Sequence, residues 1–255
     1  MSKKGVLNIY KTNQIKKNLN DKYDMGGFED HHITFPEHMA IFSATSGGKT
    51  NLLYNYLMLS SKNCGTFGHI TVVCKSMEPI YELLKKELGD NLTIYLSLRD
   101  LPHLDDLGNN DVQQCVVMDD CVGDKDQSKI EQYYLRSRKF GKGVQCIYLS
   151  QSYTKTPSFL RNQISYALFL SLSSDKDLNN IMQNYNVGAD KKVLKKIFKN
   201  AVSEKLCFFK IKTNTTDLNH KFSRNWDDFY TLLDEHNELI TEKDIELFHD
   251  SGIVN

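Results

Sequence analysis

Residues 43–50, Ser-Ala-Thr-Ser-Gly-Gly-Lys-Thr, form a small-residue loop that ends in Gly48-Lys49-Thr50. The apolar run Met39-Ala-Ile-Phe42 precedes it, and a helical pattern with Leu52, Leu53, Tyr56 and Leu57 on one face follows at once. Strand, glycine-bearing loop and helix in that order make a P-loop, whose chemistry is oligophosphate binding. Backbone N–H groups of Ser46, Gly47 and Gly48, with the positive end of the helix, can cradle a β-phosphate. Lys49 then reaches the β- and γ-phosphates, and the Thr50 hydroxyl is offered to Mg²⁺. The usual pattern opens with glycine, and Ser43 stands in that place. Serine carries a Cβ, so the first turn must avoid positive φ or bear some cost.

Hydrolysis needs carboxylates, and Cys115-Val-Val-Met118-Asp119-Asp120 supplies an apolar strand ending in two. Asp119 is placed to complete the Mg²⁺ shell with Thr50. Asp120 can orient and deprotonate an attacking water, although many P-loop ATPases carry the longer Glu there. A third apolar run, Cys146-Ile-Tyr-Leu-Ser150, ends in Gln151, whose amide can bond both a γ-phosphate and the lytic water. Arg136 and Arg138 precede that strand, and Arg161 follows it. An arginine delivered by a neighbouring subunit can neutralise the charge of phosphoryl transfer, and Arg136 and Arg138 are the candidates. Helical arginines more commonly make solvated surface pairs of little worth.

The elements that must hold these residues are legible in the pattern. Strands are expected near 38–43, 69–75, 92–97, 114–118, 144–149, 165–172 and 206–212, and helices near 49–60, 78–88, 127–140, 176–185 and 190–200. Alternation of this kind predicts an α/β fold with a mostly parallel sheet between helices. Residues 1–30 are polar and lysine-rich and are expected to form an arm; 31–230 form the P-loop domain. Residues 231–255 form an acidic tail, and a helical stretch is expected from Asp227 to Glu238. At 255 residues the chain suits one α/β domain.

Lys plus Arg and Asp plus Glu number 32 each, so there is no overall basic field for gripping nucleic acid. DNA contact would have to be local or shared among subunits. The six cysteines are scattered without a Cys-x-x-Cys pair, and those in apolar runs (Cys74, Cys115, Cys146, Cys207) read as buried free thiols. His31-His32 beside Asp30 reads as a solvated loop before a strand rather than a metal cluster. Lys191–Lys199 reads as an amphipathic helix, Val193, Leu194, Ile197 and Phe198 inward and lysines outward, facing solvent or, in a translocase, DNA phosphates. No apolar run approaches the roughly 20 residues that cross a bilayer, and the N-terminus lacks the apolar core of a secretory signal.

Taken together, Ser43–Thr50, Lys75-Ser-Met-Glu78-Pro79-Ile-Tyr81, Met118-Asp119-Asp120, Arg136-Ser-Arg138-Lys-Phe-Gly-Lys142 and Leu149-Ser-Gln151-Ser-Tyr153…Pro157…Leu160-Arg161-Asn162 resemble the genome-packaging ATPases of eukaryotic DNA viruses, of the poxvirus and virophage type. These are a branch of the FtsK–HerA superfamily of DNA translocases. The last block is the most distinctive. The likeness covers roughly residues 33 to 172 well, and 173 to 230 by pattern alone. It implies a RecA-like core that binds ATP and Mg²⁺, assembles as a homo-oligomeric ring (a hexamer), and threads double-stranded DNA into a capsid beside capsid or portal components. It further implies Lys49 and Thr50 on ATP and Mg²⁺, Asp119 on the metal, Asp120 as base, Gln151 as sensor and an arginine as finger. The implied location is the host cytoplasm or viral factory, or the virion, without a membrane. Two other readings compete: a small-substrate P-loop kinase, which lacks an arginine-rich lid here, and a nucleotide-dependent virion scaffold without useful turnover.

Overall fold

The computed structural model describes residues 23–185, 191–215 and 217–230. Its strands are β1 (Met39–Phe42), β2 (His69–Val73), β3 (Leu92–Tyr95), β4 (Gln114–Asp119), β5 (Val144–Ser150), β6 (Tyr166–Phe169), β7 (Phe209–Lys212), β8 (Phe222–Arg224) and β9 (Asp228–Phe229). They form one sheet in the order β3-β2-β4-β5-β1-β6-β7-β8-β9. From β3 to β6 neighbours run parallel, and β7, β8 and β9 extend the sheet antiparallel. The parallel part matches the sequence expectation, and so does the reason. β1, β4, β5 and β6 are buried along their whole length, as continuous apolar runs must be when helices cover both faces.

Alternation along β1 divides the core. Met39 and Ile41 face α2 (Lys49–Ser60) and α3 (Pro79–Leu88), through Leu53, Tyr56, Tyr81 and Leu84. Ala40 and Phe42 face the other layer. That layer consists of α4 (Ser128–Arg136), α5 (Ser158–Gln163), α6 (Asp175–Asn184) and α7 (Lys191–Ala201). Val193, Leu194, Ile197 and Phe198 of α7 are buried as their spacing requires.

Four expectations need correction. The helix expected over Asp227–Glu238 begins instead with β9, because the backbone of Ser223 and Arg224 on β8 captures Asp228 and Phe229 in antiparallel register; residues 231–238 lie outside the described ones. The helix expected over 127–140 stops at Arg136 and tightens into a 3₁₀ turn, Ser137–Lys139. His31 is not solvated. A short α1 (Phe28–His31) ends at His32 in the left-handed region and turns the His31 ring into the core. There Nε2–H donates to Gly26 O at 3.1 Å and Nδ1 accepts from Ile33 N at 2.9 Å, while burial lowers the ring pKa to about 4. The sequence reading placed residues up to 30 in an arm. Residues 23–31 pack on the domain, with Asp24 and Gln113 exchanging two 2.8 Å hydrogen bonds. Residues 1–22 and 231–255 lie outside the described ones. Of the thiols, Cys74, Cys115, Cys121 and Cys146 are buried and unpaired, Cys207 is half-buried and Cys64 is exposed.

Candidate nucleotide site

The P-loop joins β1 to α2 at the carboxyl edge of the parallel strands, where open α/β sheets bind ligands. Ser43 occupies the place of the leading glycine without entering the left-handed region. It is fully buried, its N–H bonds Ser150 O at 3.2 Å, and its hydroxyl packs beneath the loop. That packing transfers the demand for glycine to Gly47: a Cβ there would lie 1.9 Å from Ser43 Oγ. Gly48 caps α2 with φ 97°, and Ser46 is also left-handed at 58°. Lys49 and Thr50 open the helix, so its first N–H groups face the loop.

β4 and β5 bring the other predicted residues to the same edge. Asp119 closes β4, is 8% exposed, and lies close enough to Lys49 to feel its charge. Burial pushes its carboxyl above the usual range. A 2.7 Å hydrogen bond from the Tyr81 hydroxyl and the Lys49 charge oppose that rise, and Glu78 and Asp120 add to it. Asp120 follows with φ 53°, a left-handed non-glycine residue that turns its carboxylate along the sheet edge. Gln151 spans the gap: its carbonyl accepts from Thr45 Oγ1 of the P-loop at 3.0 Å, and its amide nitrogen lies 3.5 Å from Asp120 Oδ2.

Two residues without an assigned role in the sequence reading belong here. Glu78 Oε2 accepts from Thr50 Oγ1 at 3.1 Å, and Tyr81 orients Asp119. Both lie after β2, which the fold seats directly beside β4. The Lys75–Tyr81 block is the sequence signal, but β2–β4 adjacency is what gives it meaning. Thr50, Asp119 and Glu78 present hard oxygen donors suited to Mg²⁺, which usually takes one or two carboxylates and completes its shell with substrate phosphates and water. Among the described residues no group of three His, Cys, Asp or Glu is gathered to hold a metal without a phosphate ligand.

The arginines lie elsewhere. α4 runs from the Asp119 edge back toward the start of β5, so Arg136 and Arg138 sit at the opposite, amino-terminal edge of the parallel strands. Arg136 makes an exposed bidentate pair with Asp105 at 2.7 and 3.2 Å. Arg138 is turned away from it by the 3₁₀ turn, bonds Gln163 Oε1 at 3.3 Å, and lines a cleft of about 400 Å³ with Arg161 and Lys221. No carboxylate lines that cleft among the described residues. The structure therefore gathers Lys49, Thr50, Asp119, Asp120 and Gln151 in one site and leaves both candidate fingers outside it.

No protein-family model matches the chain, and no curated protein matches it by sequence. Solved structures do match by shape. The DNA-packaging ATPase B204 from Sulfolobus Turreted Icosahedral Virus superposes with a TM-score of 0.51 at 10% identity, covering 74% of this chain and 97% of B204. The genome-packaging NTPase B204 from Sulfolobus turreted icosahedral virus 2 matches in its sulfate complex (TM-score 0.52, 12% identity, 75% and 97% covered) and in its ATP-gammaS complex (TM-score 0.50, 11% identity, 75% and 98% covered). The fold is RecA-like. At this identity the likeness establishes the fold alone. In a RecA-like core the P-loop strand lies inside the sheet with an added strand, here β5, between it and the carboxylate strand β4.

Proposed function

We propose that the chain is an ATP-hydrolysing motor that translocates double-stranded DNA and packages a viral genome into its capsid. The observation that carries the reading is the convergence of Lys49, Thr50, Asp119, Asp120 and Gln151 on one sheet edge, tied together through Thr45–Gln151 and Tyr81–Asp119. The fold shared with B204, over nearly the whole of that packaging ATPase, supports the cargo.

The P-loop N–H groups and Lys49 bind and orient the triphosphate. Thr50 and Asp119, with Glu78 behind Thr50, would hold Mg²⁺, which supplies charge neutralisation on the β- and γ-oxygens. Tyr81 fixes Asp119 in that task. Asp120 takes a proton from water as its oxygen attacks the γ-phosphorus, and Gln151 positions that water. The bond from the γ-phosphorus to the bridging oxygen breaks and ADP departs with the electron pair.

The finger acts in trans. A head-to-tail ring joins one face of a subunit to a different face of the next, so a residue on the amino-terminal edge can complete a neighbour's site. Arg138 fits this role better than Arg136, whose guanidinium is already paired with Asp105. A hexameric ring around DNA also suits a neutral chain, since each subunit then needs only a few phosphate contacts. The place of action that goes with this reading is the host cytoplasm or viral factory, or the virion; among the described residues no helix is long and apolar enough to cross a membrane.

The test is ATP turnover with and without linear double-stranded DNA, for the intact chain beside Lys49→Ala. Turnover that rises with DNA and vanishes in the variant supports the motor. ATP binding with no turnover under either condition would favour a nucleotide-dependent scaffold instead.

A further inference from the structure

Beside the P-loop lies a hollow of about 260 Å³ that the catalytic residues do not use. Ser46 and Gly47 form its floor, Leu170 and Ser171 at the end of β6 one side, and the segment 202–207 between α7 and β7 the other. Leu206 dominates it. This leucine is 48% exposed, and its Cδ2 lies 2.6 Å from where a Cβ on Gly48 would sit, so it leans directly over the phosphate loop. Its φ of 70° is left-handed, a conformation that a branched apolar residue adopts only when its surroundings impose it.

The surroundings do impose it. Glu204 pairs with Arg224 of β8 at 2.6 Å, and Arg224 and Asn225 both reach Cys207 Sγ, at 3.6 and 3.7 Å. Asn225 also exchanges hydrogen bonds with Phe208, its N–H donating at 2.8 Å and its side-chain oxygen accepting at 3.2 Å. The antiparallel extension thus clamps 202–207 onto the P-loop edge. Burial does not explain the strain, because half of Leu206 faces solvent.

We infer that the Val202–Cys207 segment is the nucleobase subsite of the P-loop, with Leu206 as the apolar wall that takes the face of the base. This rests on the nucleotide reading of the P-loop and extends it from the phosphates to the nucleoside. A base needs apolar surface against its ring and polar groups at its rim. Leu206, Val202 and Leu170 supply the first, and Ser171, Ser203 and Glu204 the second. The hollow is continuous with Ser46 and Gly47, so a triphosphate held by the loop has its nucleoside end within reach of it. The arrangement makes the site favour nucleoside triphosphate over bare polyphosphate.

Calorimetric titration of the full chain with ATP and with inorganic tripolyphosphate tests this. Leu206→Ala is expected to weaken ATP binding about tenfold and leave tripolyphosphate binding unchanged. Leu206→Gly, which suits the left-handed backbone, is expected to do the same, so a loss there is not one of folding. Equal losses for both ligands, or no loss for either, overturns the subsite. If the intact chain binds neither ligand, the P-loop reading itself fails and the subsite with it. Tripolyphosphate bound as tightly as ATP by the intact chain also overturns the subsite alone.

Discussion

Replacing Gly47 by alanine sets a methyl group 1.9 Å from Ser43 Oγ, 3.0 Å from Ala44 O and 3.2 Å from Ser43 Cβ. The first contact is untenable, and Ser43 is fully buried. The loop must open by about 1.5 Å to restore an ordinary separation in a close-packed site. Backbone N–H donors aimed at phosphate cannot follow such a shift, and losing two charge-assisted hydrogen bonds removes roughly 3 kcal/mol. That corresponds to about a hundredfold weaker ATP binding. The cause is peculiar to a chain with serine at the loop's first position, so the double variant Ser43→Gly/Gly47→Ala should recover at least about tenfold of that loss. Ser43→Gly alone should cost little, because its hydroxyl makes only a 3.4 Å contact to Ser171 O. Calorimetry on the four proteins, with thermal melts as a folding control, reads the result. Wild-type affinity in Gly47→Ala, or a double variant no better than the single one, would show that Ser43 and Gly47 do not conflict.

Other consequences follow from particular contacts. Tyr81→Phe removes the hydroxyl that holds Asp119, so its carboxyl should rise further above the usual range. Mg²⁺ dependence of ATP binding should shift about tenfold or more to higher metal, while binding without metal stays unchanged. Acid should weaken the fold before the ordinary carboxylate range. His38 donates to Tyr134 O and accepts from Cys146 N, and burial lowers its pKa to about 3; His31 is lowered to about 4. The unfolded chain protonates both near 6.5, so their stability is complete above that pH and is lost as pH falls toward the folded values. Between pH 6.5 and 5 the loss is roughly 2 kcal/mol per histidine, read as a falling urea midpoint that His38→Gln should flatten. Arg138→Ala should bind ATP normally but lose turnover, and mixing it with Lys49→Ala should restore part of that turnover through hybrid rings. Absence of any restoration argues for action within one subunit.

The parallel strands were legible because burial on both faces demands unbroken apolar runs such as Cys115–Met118 and Cys146–Leu149. Strand order was not legible. Nothing local reveals that β2 lies beside β4, yet that adjacency alone puts Tyr81 on Asp119 and Glu78 on Thr50. β8 and β9 are too short to carry a period of two, so the pattern after Trp226 suggested a helix where two residues add to a sheet edge. His31 looked solvated because its neighbours are polar, and only the reversal at His32 turns it inward. The two arginines look equivalent in sequence. The end of α4 at Arg136 separates them, one to an acidic partner and one to a cleft lined by cations.

Movement of the motor along DNA is read from strand displacement out of a triplex. A duplex carrying a short third strand is incubated with the intact chain and ATP, and release of that strand is followed over time. Release should require ATP and disappear in Lys49→Ala and in Arg138→Ala. DNA-stimulated ATP turnover without any release would contradict movement along DNA.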